Sequence, residues 1–188
     1  TKFIKSNKSS NKDFKNRLIT SESPKSPISE AYRTLRTSIL YSSKNKNSII
    51  VSSPGPGEGK TTTVCNLAIT YANLGKKTLL IDGDLRKPII HKIFGLEKEI
   101  GLTRYLVDDC DLNEIIQSTE VNNLNVITCG IVPPNPSELL NSNEMKNLIK
   151  KLNTTFDIIL IDSPPIIAVT DAIVLSKIVD NFILVCRS

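Results

Sequence analysis

Ser48-Ile49-Ile50-Val51-Ser52-Ser53-Pro54-Gly55-Pro56-Gly57-Glu58-Gly59-Lys60-Thr61-Thr62 is the stretch on which the fold turns. Ser48–Ser52 is a short apolar run rich in β-branched residues and predicts a buried strand. The chain then enters a Pro/Gly-rich turn. After Lys60, Val64, Leu67, Ala68 and Tyr71 recur at helical spacing until Gly75, a good helix stop. A glycine-rich turn between strand and helix aims backbone N–H groups inward, which suits phosphate oxygens. Gly55, Pro56, Gly57, Glu58, Gly59, Lys60, Thr61 and Thr62 are the candidate cradle. Lys60 is placed to reach β/γ-phosphates, and the Thr61 hydroxyl to ligate Mg²⁺. The strict pattern has Gly where this chain has Pro54. The competing reading is a chance turn with an exposed lysine; the strand–turn–helix context weighs against it.

Moving outward, Thr78-Leu-Leu-Ile-Asp82 is a second strand, separated from the first by one helix. That order predicts a right-handed parallel crossover. Further strands are expected at Leu124–Thr128, Phe156–Ile161 and Asn181–Val185. Helices are expected near Leu102–Val107, Leu112–Gln117, Pro136–Asn153 and Asp171–Ile178. Nearly continuous apolar strands between helices indicate a sheet covered on both faces. The expected class is α/β, a doubly wound, mainly parallel sheet of the P-loop NTPase kind.

Two acidic sites follow the same logic. Asp82 and Asp84 lie at and just past the end of the second strand, where open parallel sheets bind ligands. The apolar run Phe156–Ile161 ends in Asp162. Carboxylates are hard oxygen ligands suited to Mg²⁺, directly or through water, and an acid beside an attacking group can accept its proton. Thr61, Asp82, Asp84 and Asp162 are the candidate metal-side residues, and Lys60, Asp82 and Asp84 the candidate catalytic ones. Solvated acidic loops are the plain alternative, made weaker by the neighbouring P-loop.

Residues 1–27 hold seven basic and two acidic groups, so the whole net charge of +5 sits there and the rest of the chain is neutral. A neutral body is poor support for duplex-DNA binding, and no nucleic-acid partner is expected. The leader is read as a flexible, solvated tether; contact with phosphates or anionic lipid is the other reading. The remainder, 28–188, is expected to be one P-loop domain. Cys65, Cys110, Cys129 and Cys186 have no metal-ligand spacing and read as reduced residues. His91 is the only histidine, which removes support for a Ser–His–Asp hydrolase, and it is assigned no role. No apolar run reaches membrane-spanning length.

Upstream, Ser29 is a candidate N-cap for a helix with Ala31, Leu35 and Ile39 on one apolar face. Glu30, Arg33 and Arg36 recur every three residues and are expected to share a face angled away from it. With these residues in place, positions 18–188 resemble the bacterial protein-tyrosine kinases of capsule and exopolysaccharide assembly. Pro56-Gly-Glu-Gly-Lys-Thr61 is similar to that family's Walker A loop. Ile81-Asp-Gly-Asp-Leu-Arg86 is similar to its Walker A′ box, and Ile161-Asp-Ser-Pro-Pro165 to its Walker B box. Gly130-Ile-Val-Pro-Pro-Asn-Pro-Ser-Glu-Leu-Leu140 is another stretch typical of it.

The resemblance implies transfer of the γ-phosphoryl group of Mg-ATP to tyrosine hydroxyls, autophosphorylation, and regulation of polysaccharide synthesis and export. It implies Asp82 as the group that orients or deprotonates the acceptor. It implies Glu30, Arg33 and Arg36 as contacts of a homo-oligomeric ring, Arg forks being suited to carboxylates. It implies a partner, the cytoplasmic segment of a transmembrane activator of polysaccharide chain-length control, and hence a place in the cytoplasm at the inner face of the membrane. The four tyrosines, Tyr32, Tyr41, Tyr71 and Tyr105, are scattered, and Tyr71 and Tyr105 read as packing residues. The family's tyrosine-rich tail, last strand and last helix have no counterpart in these residues, so the domain reads as truncated. Two alternatives stay open: a switch ATPase like the partitioning and division-site proteins, and a non-catalytic scaffold. The former carry an extra lysine where this chain has Pro54.

Overall fold

Alternating strands and helices wind around one sheet, as the apolar runs dictate. The computed structural model describes residues 17–42, 47–108, 110–167 and 170–187. In chain order the elements are α1 (Ile19–Glu22), α2 (Pro27–Ser42), β1 (Ser48–Ser52), α3 (Lys60–Asn73), β2 (Thr78–Asp82), α4 (Ile90–Phe94), α5 (Leu102–Asp108) and α6 (Leu112–Ile115). Then follow β3 (Gln117–Ser118), β4 (Leu124–Ile127), α7 (Pro136–Leu140), α8 (Asn143–Asn153), β5 (Ile158–Asp162), α9 (Asp171–Ser176) and β6 (Asn181–Leu184).

The strand order is β3-β4-β2-β5-β1-β6, with β4, β2, β5, β1 and β6 parallel. Every residue of β1, β2 and β5 is buried, which is why these strands read as continuous apolar runs. Their pleat splits the core in two. Ile50, Leu79, Ile81, Ile159 and Ile161 face α5–α9, while Ile49, Val51, Leu80 and Leu160 face α3. The doubly wound, mainly parallel class is therefore observed. Three adjacent strands, β2, β5 and β1, bring their carboxyl ends together, and in register Asp82 stands beside Asp162.

Several expected elements shift. The helix expected over Leu112–Gln117 stops at Ile115, and Gln117–Ser118 instead pairs antiparallel with Val126–Asn125. The Gln117 amide holds this turn by donating to the Glu97 and Ile100 carbonyls. The helix expected over Pro136–Asn153 breaks at Asn141–Ser142. Ser142 caps the second piece, its hydroxyl accepting from Met145 N at 3.1 Å.

The boundary at residue 27 needs correction. Residues 1–16 of the expected leader lie outside the described residues, but Leu18 and Thr20 are buried and α1 packs on α3. The reason is Asn66, a fully buried amide on α3. Its Oδ1 accepts from Thr20 N at 3.0 Å and Thr20 Oγ1 at 2.9 Å. Its Nδ2 donates to the Arg17 carbonyl at 2.7 Å and the Thr62 carbonyl at 2.9 Å. Replacing Asn66 with Ala strands these groups and is expected to lower unfolding free energy by about 2 kcal/mol in urea titrations. An unchanged midpoint would show that α1 is not part of the cooperative fold.

The ring-motif helix also differs in detail. Along α2 the inward stripe is Tyr32, Leu35, Arg36 and Ile39, each partly covered, while Ala31 is exposed. Arg36 thus points inward, its Nη1 donating to the Thr70 carbonyl of α3 at 2.8 Å. Glu30 and Arg33 stay outward and pair with each other at 2.6 Å, and Arg33 also donates to the Pro24 carbonyl. The three residues do not share one solvent face, because the covered stripe runs through position 36.

Candidate active site

The turn from β1 to α3 is shaped by glycine. Gly57 and Gly59 have φ of +79° and +89°, the left-handed region that side chains resist, and Gly59 is the N-cap of α3. The first amides of α3 therefore open toward one cleft. Lys60 folds back over this mouth. Its Nζ lies 3.2 Å from Thr61 Oγ1, 3.2 Å from Asp84 Oδ2 and 3.2 Å from Asp162 Oδ1. Thr61 Oγ1 in turn donates to Asp162 Oδ2 at 2.6 Å. One ammonium is thus shared between two carboxylates from two strand ends. Burial pushes the Lys60 pKa down, but Asp162 and Asp84 together outweigh it and the ammonium is held above its ordinary value. Burial raises the Asp162 carboxyl, with Lys60 opposing.

Asp82 and Asp84 are only two residues apart yet do different things. Asp84 lies at the mouth, with Oδ1 accepting from Arg86 N at 3.3 Å and Lys87 N at 3.0 Å. Asp82 is fully buried. Its Oδ2 accepts from Ile89 N at 3.2 Å and Ile90 N at 3.1 Å, the amides opening α4, while Oδ1 has no hydrogen-bond partner among the described residues. Burial first, and then the nearby Asp162 carboxylate, push the Asp82 carboxyl up to about 8. Gly83 between them is obligatory for a different reason. A Cβ there would stand 2.6 Å from the Asp162 carbonyl and 2.9 Å from Ile161 Cγ2.

The expected convergence is therefore partial. Lys60, Thr61, Asp84 and Asp162 meet through direct contacts, and Asp82 stands behind them facing α4. Among the described residues no three His, Cys, Asp or Glu side chains lie close enough to hold a metal on their own. The donors are nonetheless chemically right for Mg²⁺: a hydroxyl, two carboxylates at the mouth, and an unpartnered buried carboxylate oxygen behind them. With so few protein ligands, such an ion has to be shared with phosphate oxygens, as Mg²⁺ in nucleotide sites commonly is.

The cleft itself has a volume of about 400 Å³. Of the expected cradle residues, Pro56, Gly57, Gly59, Lys60, Thr61 and Thr62 line it. Gly55 and Glu58 do not. Glu58 turns outward and accepts from Arg187 N at 2.6 Å. The sequence reading missed Arg17 and Lys87, both on the cleft wall. Composition places Arg17 in the basic leader; the apolar pair Leu18-Ile19 directly after it is the signal that the fold begins there. Elsewhere, Cys65 and Cys129 are buried and Cys110 and Cys186 less so, all as free thiols. Tyr71 is buried as expected, and Tyr105 packs against the core.

A family model described as an AAA domain matches residues 46–187. The chain is 44% identical over 173 residues to the tyrosine-protein kinase YwqD of Bacillus subtilis (strain 168), covering 91% of this chain and 73% of that one. Its fold matches the kinase domain of the Escherichia coli tyrosine kinase ETK with a TM-score of 0.88 at 36% identity, over 91% of this chain and 68% of that one. The septum site-determining protein MinD of Pyrococcus horikoshii, complexed with Mg-ADP, is more distant. There the TM-score is 0.63 at 28% identity, over 74% of this chain and 57% of that one.

Proposed function

The chain belongs to the bacterial tyrosine-protein kinases, and on that premise we propose how its own residues perform ATP-dependent phosphorylation of tyrosine in the control of capsular or exopolysaccharide synthesis. The observation that carries the proposal is the shared ammonium: Lys60 bridges Asp84 and Asp162 at the mouth of an amide cradle. A cation so placed is matched to the charge of a triphosphate. The cradle from Pro56 to Thr62 would hold the phosphates. Thr61 and Asp162, with Asp84 and Asp82, would hold Mg²⁺, directly or through water. When bound, the ion neutralises charge on the β- and γ-phosphates.

The protein's share of the chemistry is positioning and proton handling. The tyrosine oxygen forms a bond to the γ-phosphorus as the bond to the departing ADP oxygen breaks. The phenolic proton passes to a carboxylate, for which Asp82 is the candidate. Its unpartnered oxygen supports that role, and with a pKa of about 8 in the nucleotide-free protein it has to give up its own proton before it can take the tyrosine's. Incubating the full-length protein with Mg-ATP tests the reading. Phosphotyrosine is expected on the protein; release of free phosphate alone would favour the switch-ATPase alternative, which the lower similarity to MinD already disfavours.

Partners are proposed on the same footing. Among the described residues no helix is long and apolar enough to cross a membrane. The proposed placement is cytoplasmic, at the inner face of the membrane, through the cytoplasmic segment of a transmembrane activator. A homo-oligomeric ring is proposed to use the outward pair Glu30 and Arg33. Since Arg36 is turned inward onto the Thr70 carbonyl of α3, Arg33→Ala alone is the clean test. It is expected to give a smaller species by light scattering, and an unchanged mass would refute the interface.

A further inference from the structure

Asp84 is held by the backbone amides of Arg86 and Lys87, and the Arg86 side chain is itself tied down elsewhere by contacts that involve no residue of the phosphate cradle. Arg86 N and Lys87 N both donate to Asp84 Oδ1. The Arg86 guanidinium then reaches across to Asp171. Its Nε lies 3.0 Å from Asp171 Oδ2 and its Nη2 3.4 Å from Asp171 Oδ1. The same Nη2 lies 3.2 Å from Ser137 Oγ, and Ser137 donates to Asp171 Oδ1. Asp171 is completely buried, so its charge is offset by these contacts. Ser137 comes from α7 and Asp171 opens α9, and the two helices lie against each other.

On its other side the same loop is pinned at Gly83, whose amide donates to the Asp162 carbonyl at 2.9 Å and whose missing side chain lets the loop rest on β5. Between these two fixed points Asp84 has one oxygen held by backbone amides and the other free to face Lys60 at 3.2 Å. Among the described residues no other contact of Asp84 sets that direction.

We propose that Asp171 and Ser137 are positioning residues of the reaction: acting through Arg86, they fix Asp84 in the orientation in which it faces Lys60 and the magnesium site. The proposal rests on the kinase reading's assignment of Asp84 to that site. It adds two residues, 53 and 87 positions further along the chain, that do not line the phosphate cleft. The planar, two-point contact makes Arg86 poorly replaceable by lysine, which offers a point charge only.

The test uses the full-length protein with Asp171→Asn, Ser137→Ala, Arg86→Ala and the double variant Asp171→Asn/Arg86→Ala. Asp171→Asn is expected to raise the Mg²⁺ concentration that half-saturates ADP binding by about tenfold, the usual effect of removing a partner one shell out from a metal ligand. ADP binding without Mg²⁺ should stay within about twofold, because the cradle is untouched. Phosphotyrosine formation should fall through kcat rather than KM. Ser137→Ala should shift the same quantities in the same direction by less. In the Arg86→Ala background, Asp171→Asn should add nothing, since its route to Asp84 is already cut. Multiplying effects in the double variant, or an equal loss of ADP binding with and without Mg²⁺, would overturn the proposal. If Asp171→Asn fails to fold, an unchanged Mg²⁺ requirement in Ser137→Ala overturns it alone. These binding measurements decide the latch even if the wild-type protein forms no phosphotyrosine, an outcome that would sink the kinase reading by itself.

Discussion

Lys60→Met is expected to abolish phosphotyrosine formation, by about a thousandfold or more, and to weaken Mg-ADP binding well beyond tenfold. The size follows from the site. Lys60 is in direct contact with both Asp84 and Asp162, and removing a single preorganised charge stabiliser typically costs a factor of about 100 to 1,000. Here the loss is compounded, because the two carboxylates then face the phosphates without the ammonium between them. The fold should survive. Asp162 keeps its hydrogen bond from Thr61, and burial already raises its pKa, so losing the lysine leaves a carboxyl that can take up a proton more readily. Antibody detection of phosphotyrosine and titration with a fluorescent ADP analogue measure the two effects. Near-normal transfer in this variant would remove the shared ammonium from the mechanism.

Asp82→Asn is expected to separate binding from chemistry. Its Oδ2 serves the α4 amides, which an asparagine oxygen can also do, so the loop and the cleft should persist. Nucleotide affinity should change only a few-fold. Transfer should drop by about 100- to 10,000-fold, the range for losing a general base. Wild-type rates would release Asp82 from the mechanism and leave it as a cap on α4.

The same substitution has a pH signature. In the unfolded chain Asp82 titrates near 4, whereas in the folded, nucleotide-free protein it titrates near 8 because of burial and the Asp162 charge. Between those values the folded form keeps a proton that the unfolded form has lost. Stability from this group is therefore fully present below about pH 4, declines as pH rises, and is level above about 8. The decline is on the order of a few kcal/mol. Asp82→Asn should flatten it and melt above the wild type at pH 8. A wild-type melting temperature that does not fall between pH 5 and 8 would contradict the buried, protonated carboxyl.

What was legible in the chain was what is encoded locally. The strand at Ser48–Ser52, the glycine turn, the helix to Asn73 and the acid-tipped strands all follow from periodicity and turn chemistry within a few residues. Their order fixes a parallel sheet and puts Lys60, Asp82, Asp84 and Asp162 at one end of it. Tertiary structure alone decided which of those acids meets the lysine. Asp82 and Asp84 are indistinguishable by composition, and only the close approach of Gly83 to β5 and the amides opening α4 turn one inward and the other to the mouth. The same holds for Arg36, drawn in by the Thr70 carbonyl, for the segment from Leu18 fastened by Asn66, and for Arg86 with Asp171. Each depends on side-chain hydrogen bonds or ion pairs between positions 34 to 85 residues apart. Such partners are set by which strands and helices become neighbours, and no short window of sequence contains that.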